Sequence, residues 1–202
     1  PKTRSGIEQK LAELGIAQTY DLPFKSMGLS LSDQYWIRPY ESDVSWHDLN
    51  FFENPFQEAS AQEWLADVGL DSPDNTSDGV LSKRWVSRGG GYYLLKGATL
   101  LEQEPFNEAI ASNLCSRIVH PQDYVAYNVE VWNESWVSAC PCFITSDEEF
   151  IPAIYVNEVL HEQAHRNAHR HYLECCAALG VANAELATSK MIAVSYTHLR
   201  AH

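Results

Sequence analysis

The sequence predicts an α+β fold, and three observations carry that expectation. Two stretches rich in β-branched and aromatic residues each fold about a turn signal, as hairpins do. A helical pattern opened by Pro105 lies between them. Helical patterns also occupy both ends of the chain, so the strands come as hairpins set among helices.

In chain order, Ser5, Gly6, Ile7 and Glu8 have capping-box spacing ahead of Ile7, Leu11 and Leu14, with Gly15 as the stop of a short helix. Ser45, Trp46, His47 and Asp48 open another helix running to Phe52, and Gln62 to Val68 suggests a third, leaving residues 20–45 extended or looped. Trp36, Trp46, Trp64 and the Phe51, Phe52, Phe56 cluster supply this region with its own core. Residues 1–68 therefore read as an accessory helical module. The run DSPDNTSDG at 71–79 holds nine turn-forming residues and marks a boundary or a functional loop.

Residues 83–87 and 92–96 flank Arg88, Gly89, Gly90 and Gly91, a hairpin whose glycines provide the positive φ its turn requires. Tyr92, Leu94 and Lys96 share one face of the second strand. After Pro105, Phe106, Ile110, Leu114 and Ile118 recur every four residues and make the helix amphipathic. Glu108 lies off that stripe beside Ala111 and Cys115, whose small size lets the helix approach a sheet and bury a carboxylate that then needs a cation. Val125, Tyr127, Val129 and Val131 alternate up to a turn at Asn133, Glu134 and Ser135, and residues 136–144 return as the second strand of another hairpin. From Ile154 to Leu179 no Gly or Pro interrupts a stripe of Val156, Leu160, Ala164, Ala168, Tyr172 and Cys176. One long helix, or two with a bend near Asn167, is expected to end at Gly180.

The bulk properties narrow the function classes. With 14 Lys plus Arg against 27 Asp plus Glu, the 202 residues carry a formal charge of −13, with no basic cluster to offset it, which argues against direct nucleic-acid binding. No apolar run approaches the roughly 18–20 residues that cross a bilayer, so no membrane partner is expected. The five cysteines are odd in number, and Cys140 with Cys142 and Cys175 with Cys176 are too close for ordinary bridges within each pair, which fits reduced thiols and a cytoplasmic location. The chain begins at Pro1, which leaves a lost leader open.

Two residues stand out chemically. Lys96 ends an apolar strand and Glu108 follows twelve residues later on a helix, the arrangement by which a kinase holds ATP phosphates. The plain reading of the same pair is a solvated strand-end charge and an acid favouring the positive end of its helix.

Five blocks in order, GLSLSDQYWIR at 28–38, NFFENPF at 50–56, SPDNTSDG at 72–79, LKG at 95–97 and QEPFNE at 103–108, together resemble the HipA-like serine/threonine kinases. The resemblance continues through HYLECCAALG at 171–180 to about Ala193. It implies a protein-kinase-like nucleotide lobe over residues 69–152, behind the accessory module, and the first helices of a catalytic lobe over 153–193. Lys96 would contact ATP phosphate, with Glu108 as its helix partner. Thr76, Ser77, Asp78, Gly79 and Lys83 would belong to the family's mobile loop, although the Gln often found there is absent. Cys142 and Phe143 would lie in the hinge strand that meets adenine, through backbone groups. The family further implies ATP and magnesium as cofactors, a protein substrate and an antitoxin-like partner. Its catalytic aspartate, asparagine and magnesium ligands would follow residue 193. Instead VSYTHLRAH at 194–202 resembles a translated sequencing-adapter tail, so these 202 residues are expected to be an inactive fragment.

Competing readings remain. His161, Glu162 and His165 spell H-E-x-x-H on a predicted helix, with Glu185 at a plausible distance for a third ligand, the pattern of a zinc metallohydrolase. In a histidine-rich stretch the plain alternative is a solvated helix face. Cys140, Cys142, Cys175 and Cys176 could make a four-thiolate site, although neither pair has the usual spacer and core thiols explain them as well. A non-catalytic regulatory module is the third class.

Overall fold

Gly89 and Gly90 take φ of 58° and 83°, and this left-handed pair folds strand β1 (Lys83–Arg88) back on β2 (Gly91–Lys96) as the glycine run requires. In the computed structural model, which describes residues 11–56, 72–76, 81–99, 101–161 and 167–199, a second left-handed pair at Asn133 and Glu134 joins β3 (Asn128–Trp132) to β4 (Ser135–Pro141). Both strands are shorter than the alternation suggested. β4 pairs with β2, giving one antiparallel sheet in the order β1-β2-β4-β3. The protein is thus α+β as expected.

Period-two alternation gives the sheet two distinct faces. Val86, Leu95, Val137 and Ala139 form a buried cluster on one, flanked by Tyr93 and Trp132. At its border Arg84 lies 5.3 Å from the Trp132 ring, and Arg88 donates to Glu130 at 2.7 Å. Both contacts link β1 to β3 across two intervening strands, so the sheet is strongly coiled. Lys83, Trp85, Leu94, Lys96, Ser138 and Cys140 occupy the other face by the same register.

The N-terminal region holds two short helices, α1 (Asp21–Lys25) and α2 (Trp46–Leu49). The first falls in a stretch expected to be extended or looped, and the second stops three residues before Phe52. Asp48 accepts from both the N–H and the hydroxyl of Ser45, which fixes the predicted start of α2. Asn50, fully buried, ends it by accepting from the N–H groups of Phe52 and Glu53. The aromatic cluster is not confined to this region. Leu29, Leu31 and Phe51 form a core against which Trp36, Trp46, Phe52 and Phe56 pack, and so do Trp85 and Tyr92 from the first hairpin. Gln34 donates to the Ser146 carbonyl and Phe150 N–H to that of Ser32 at 2.8 Å, so the region is also tied to the segment after β4. The helix start at residues 5–8, the helix at 62–68 and Trp64 lie outside the described residues.

Helix α3 (Glu104–Ile118) carries Pro105 in its first turn and crosses the second face of the sheet. It is turned the opposite way from its apolar stripe. Phe106, Ile110, Leu114 and Ile118 are 40–61% exposed, while Glu108, Ala111, Ser112 and Cys115 are buried. Small side chains allow the close approach that joins Glu108 to the sheet, and Phe106 covers Trp136 at 5.4 Å from outside.

The C-terminal pattern resolves into separate helices. α4 (Ala153–Val156) is one turn long, and α5 (Ala168–Ala178) starts where Asn167 accepts from the N–H groups of His169 and Arg170. The helix expected from Ile154 stops instead at Val156, residues 157–161 run as turns and bends, and Gly180 at φ 81° follows the end of α5. α6 (Ala184–Leu199) packs against α3 and runs across residue 194 without interruption. Among the described residues no helix is long and apolar enough to cross a membrane.

Candidate functional site

Lys96 leaves the last position of β2 and Glu108 the second turn of α3, and the two meet. Lys96 Nζ donates to Glu108 Oε1 at 3.0 Å and to the Tyr127 hydroxyl at 2.6 Å. The other carboxylate oxygen, Oε2, accepts from Ser138. Their side chains are 15% and 4% exposed, so each charge has given up most of its water and depends on the other. Tyr127 is held by its own N–H, which donates to Ser112 Oγ on α3 at 3.0 Å.

Lys83 adds a second cation. It stands directly opposite Lys96 in the β1/β2 register, on the same face of the hairpin.

A cavity of about 1020 Å³ opens beside these groups, at the upper end of the usual range for small-molecule sites. Lys83, Lys96, Glu108 and Tyr127 line it, Leu94 and Ala111 contribute apolar wall, and Cys140, Cys142 and Phe143 belong to its β4 side. Leu31 to Asp33 and Phe150 to Pro152 reach it from the segments that the N-terminal region holds together. Cys142 N–H donates to the Tyr92 carbonyl at 2.7 Å, which carries the β2/β4 pairing past the end of β4. Phe143 meets Phe150 edge to face at 5.4 Å.

Burial governs the uncharged groups. It pushes the Tyr127 phenol far above its ordinary value, reinforced by Cys140 and Glu108. Burial likewise raises the Cys140 thiol, against the pull of Lys96, and the Cys142 thiol. These groups are neutral near pH 7, so the Lys96 and Lys83 ammonium groups and the Glu108 carboxylate set the charge at this end of the cavity.

Five of the residues singled out from sequence, Lys83, Lys96, Glu108, Cys142 and Phe143, thus line one cavity. Thr76 closes a 3₁₀ turn (Pro73–Thr76) beside β1, and Ser77, Asp78 and Gly79 lie outside the described residues. In that turn buried Asp74 accepts from Trp85 N–H at 2.7 Å and faces Arg84 at 3.7 Å, a buried ion pair where the sequence showed only turn formers. Tyr127 and Ser138 were missed, and Cys140 was weighed only as a metal thiolate or a core thiol. Their strand alternation was visible, but only the pairing of Lys96 with Ser138 shows which face they share.

The metal patterns gain no geometry. His161 is exposed, Glu162 and His165 lie outside the described residues, and Glu185 is exposed in the first turn of α6. The four cysteines do not gather into a thiolate site, and Cys175 instead lies 3.5 Å from His171 Nε2 within α5. Among the described residues no group of three or more His, Cys, Asp or Glu side chains is placed to hold an ion.

Comparison with protein-family models, with curated proteins and with solved structures gives no match in any of the three.

Proposed function

We propose that this chain is the nucleotide-binding part of a HipA-like, ATP-dependent serine/threonine kinase. The observation that carries the reading is the Lys96–Glu108 ion pair, which joins a strand end to a helix at the wall of a ligand-sized cavity, with Lys83 directly across the hairpin. Two ammonium groups suit the charge of a triphosphate. The apolar region between Leu94, Ala111 and the backbone at Cys142 and Phe143 suits the base. Among the described residues no group of three or more His, Cys, Asp or Glu side chains is placed together, and the reading assigns magnesium to none of them. In this reading nucleotide binding is the part these residues carry, and phosphate transfer to a protein substrate and an antitoxin-like partner are what the resemblance adds.

Calorimetric titration of ATP into the chain tests this. Saturable binding is expected, weakened on the order of tenfold by Lys83→Ala and by Lys96→Met, since each removes a charge-assisted contact. A folded chain that shows no saturable binding of ATP refutes it.

A further inference from the structure

We propose that Tyr127 is a positioning residue that aims the Lys96 ammonium at an anionic ligand, so that the cavity prefers a nucleoside triphosphate to the bare nucleoside. The inference rests on the nucleotide reading above.

An ammonium group has three N–H donors. Among the described residues two of them are taken, one by Glu108 Oε1 at 3.0 Å and one by the Tyr127 hydroxyl at 2.6 Å. The third is left on a group that lines the cavity. A lysine on its four-carbon stem loses rotamer freedom when a ligand captures it, unless the protein has already fixed it. Glu108 alone is one point of attachment and lets the ammonium swing about it. Tyr127 supplies the second.

The choice of a phenol over another carboxylate matters. A second acid would cancel the remaining positive charge and repel phosphate, whereas a neutral hydroxyl accepts a hydrogen bond and leaves the charge in place. Burial keeps the phenol in that neutral form. Tyr127 is itself fixed, with its N–H on Ser112 Oγ at 3.0 Å and the Cys140 thiol beside its hydroxyl. The ammonium also lies 4.4 Å from the centre of the Tyr127 ring, a contact that phenylalanine preserves.

Tyr127→Phe therefore removes the hydroxyl and little else. Affinities of magnesium-free ATP and of adenosine are measured by calorimetry for the unsubstituted chain and for this variant. The unsubstituted chain is expected to prefer ATP, and Tyr127→Phe to reduce that preference on the order of fivefold while the adenosine affinity stays unchanged. A proportionate loss for both ligands overturns the inference, because the hydroxyl then only shapes the cavity. An unchanged preference overturns it as well. A gain in ATP affinity does so too, because the phenol would then compete with phosphate for Lys96. If the unsubstituted chain binds neither ligand, the nucleotide reading itself fails and the role of Tyr127 falls with it.

Discussion

Lys96 and Ser138 are cross-strand partners on β2 and β4, and each donates to a different oxygen of Glu108. One buried carboxylate thereby pins α3 to two central strands at once. The cavity wall and the attachment of the helix depend on the same group.

Glu108→Gln is expected to destabilise the protein by about 3 kcal/mol, since it leaves the Lys96 charge in a mostly buried site without its anion. Ser138→Ala removes one hydrogen bond to a charged acceptor and should cost about 2 kcal/mol. The pair Lys96→Met with Glu108→Leu removes both charges and should recover most of the loss. Urea unfolding of the four proteins measures these differences. A Glu108→Gln variant as stable as the parent would show that the pair contributes nothing to holding α3.

The exposure of α3 makes a contrasting pair. Leu95 is fully buried, so Leu95→Ala should cost about 2–5 kcal/mol through lost contacts and a residual cavity. Ile110 is 57% exposed, and Ile110→Ser should shift stability by less than about 0.5 kcal/mol. Thermal unfolding compares them. Equal losses would mean that the Phe106, Ile110, Leu114, Ile118 stripe is covered after all.

The His47–Glu53 pair predicts a pH window. Glu53 lies 2.9 Å from His47 Nδ1 and raises the imidazole above its ordinary 6.5, while His47 and Asn50 hold Glu53 below its ordinary 4.5. The histidine contribution is complete below 6.5 and disappears as pH rises through the elevated folded value. The glutamate contribution is present above 4.5 and disappears as pH falls through the depressed one. Both act together between 4.5 and 6.5. The melting temperature of the parent should therefore exceed that of His47→Gln by a small margin near about pH 5.5, and the two should converge near about pH 9. A difference that is constant across this range would remove the pair from the account of stability.

The legible parts of the fold were those written locally. Gly89 and Gly90 marked their turn because few other residues take positive φ, and Ser45 to Asp48 marked the start of α2 because those two side chains can bond each other and the exposed N–H there. On α3 the small Ala111 and Cys115 beside Glu108 marked the side that meets the sheet, because they allow close approach, whereas nothing local showed that the larger Phe106, Ile110, Leu114 and Ile118 stripe stays exposed. Asp74 read as a turn former and is also half of a buried ion pair, since nothing in its neighbourhood along the chain announces Arg84.

By itself the sequence determined the two hairpins, the helix between them, the acidic balance and the candidacy of Lys96 and Glu108, all of which follow from backbone preference and charge within short stretches. Only the tertiary structure decided that β2 and β4 pair in the register that brings Ser138 opposite Lys96, and that α3 presents Glu108 inward to both. It also decided that residues near Leu31 and Phe150 close the far side of the cavity. Those relationships join positions 12 to more than 100 residues apart, where hydrogen bonding and burial choose among many pairings that local pattern leaves equal.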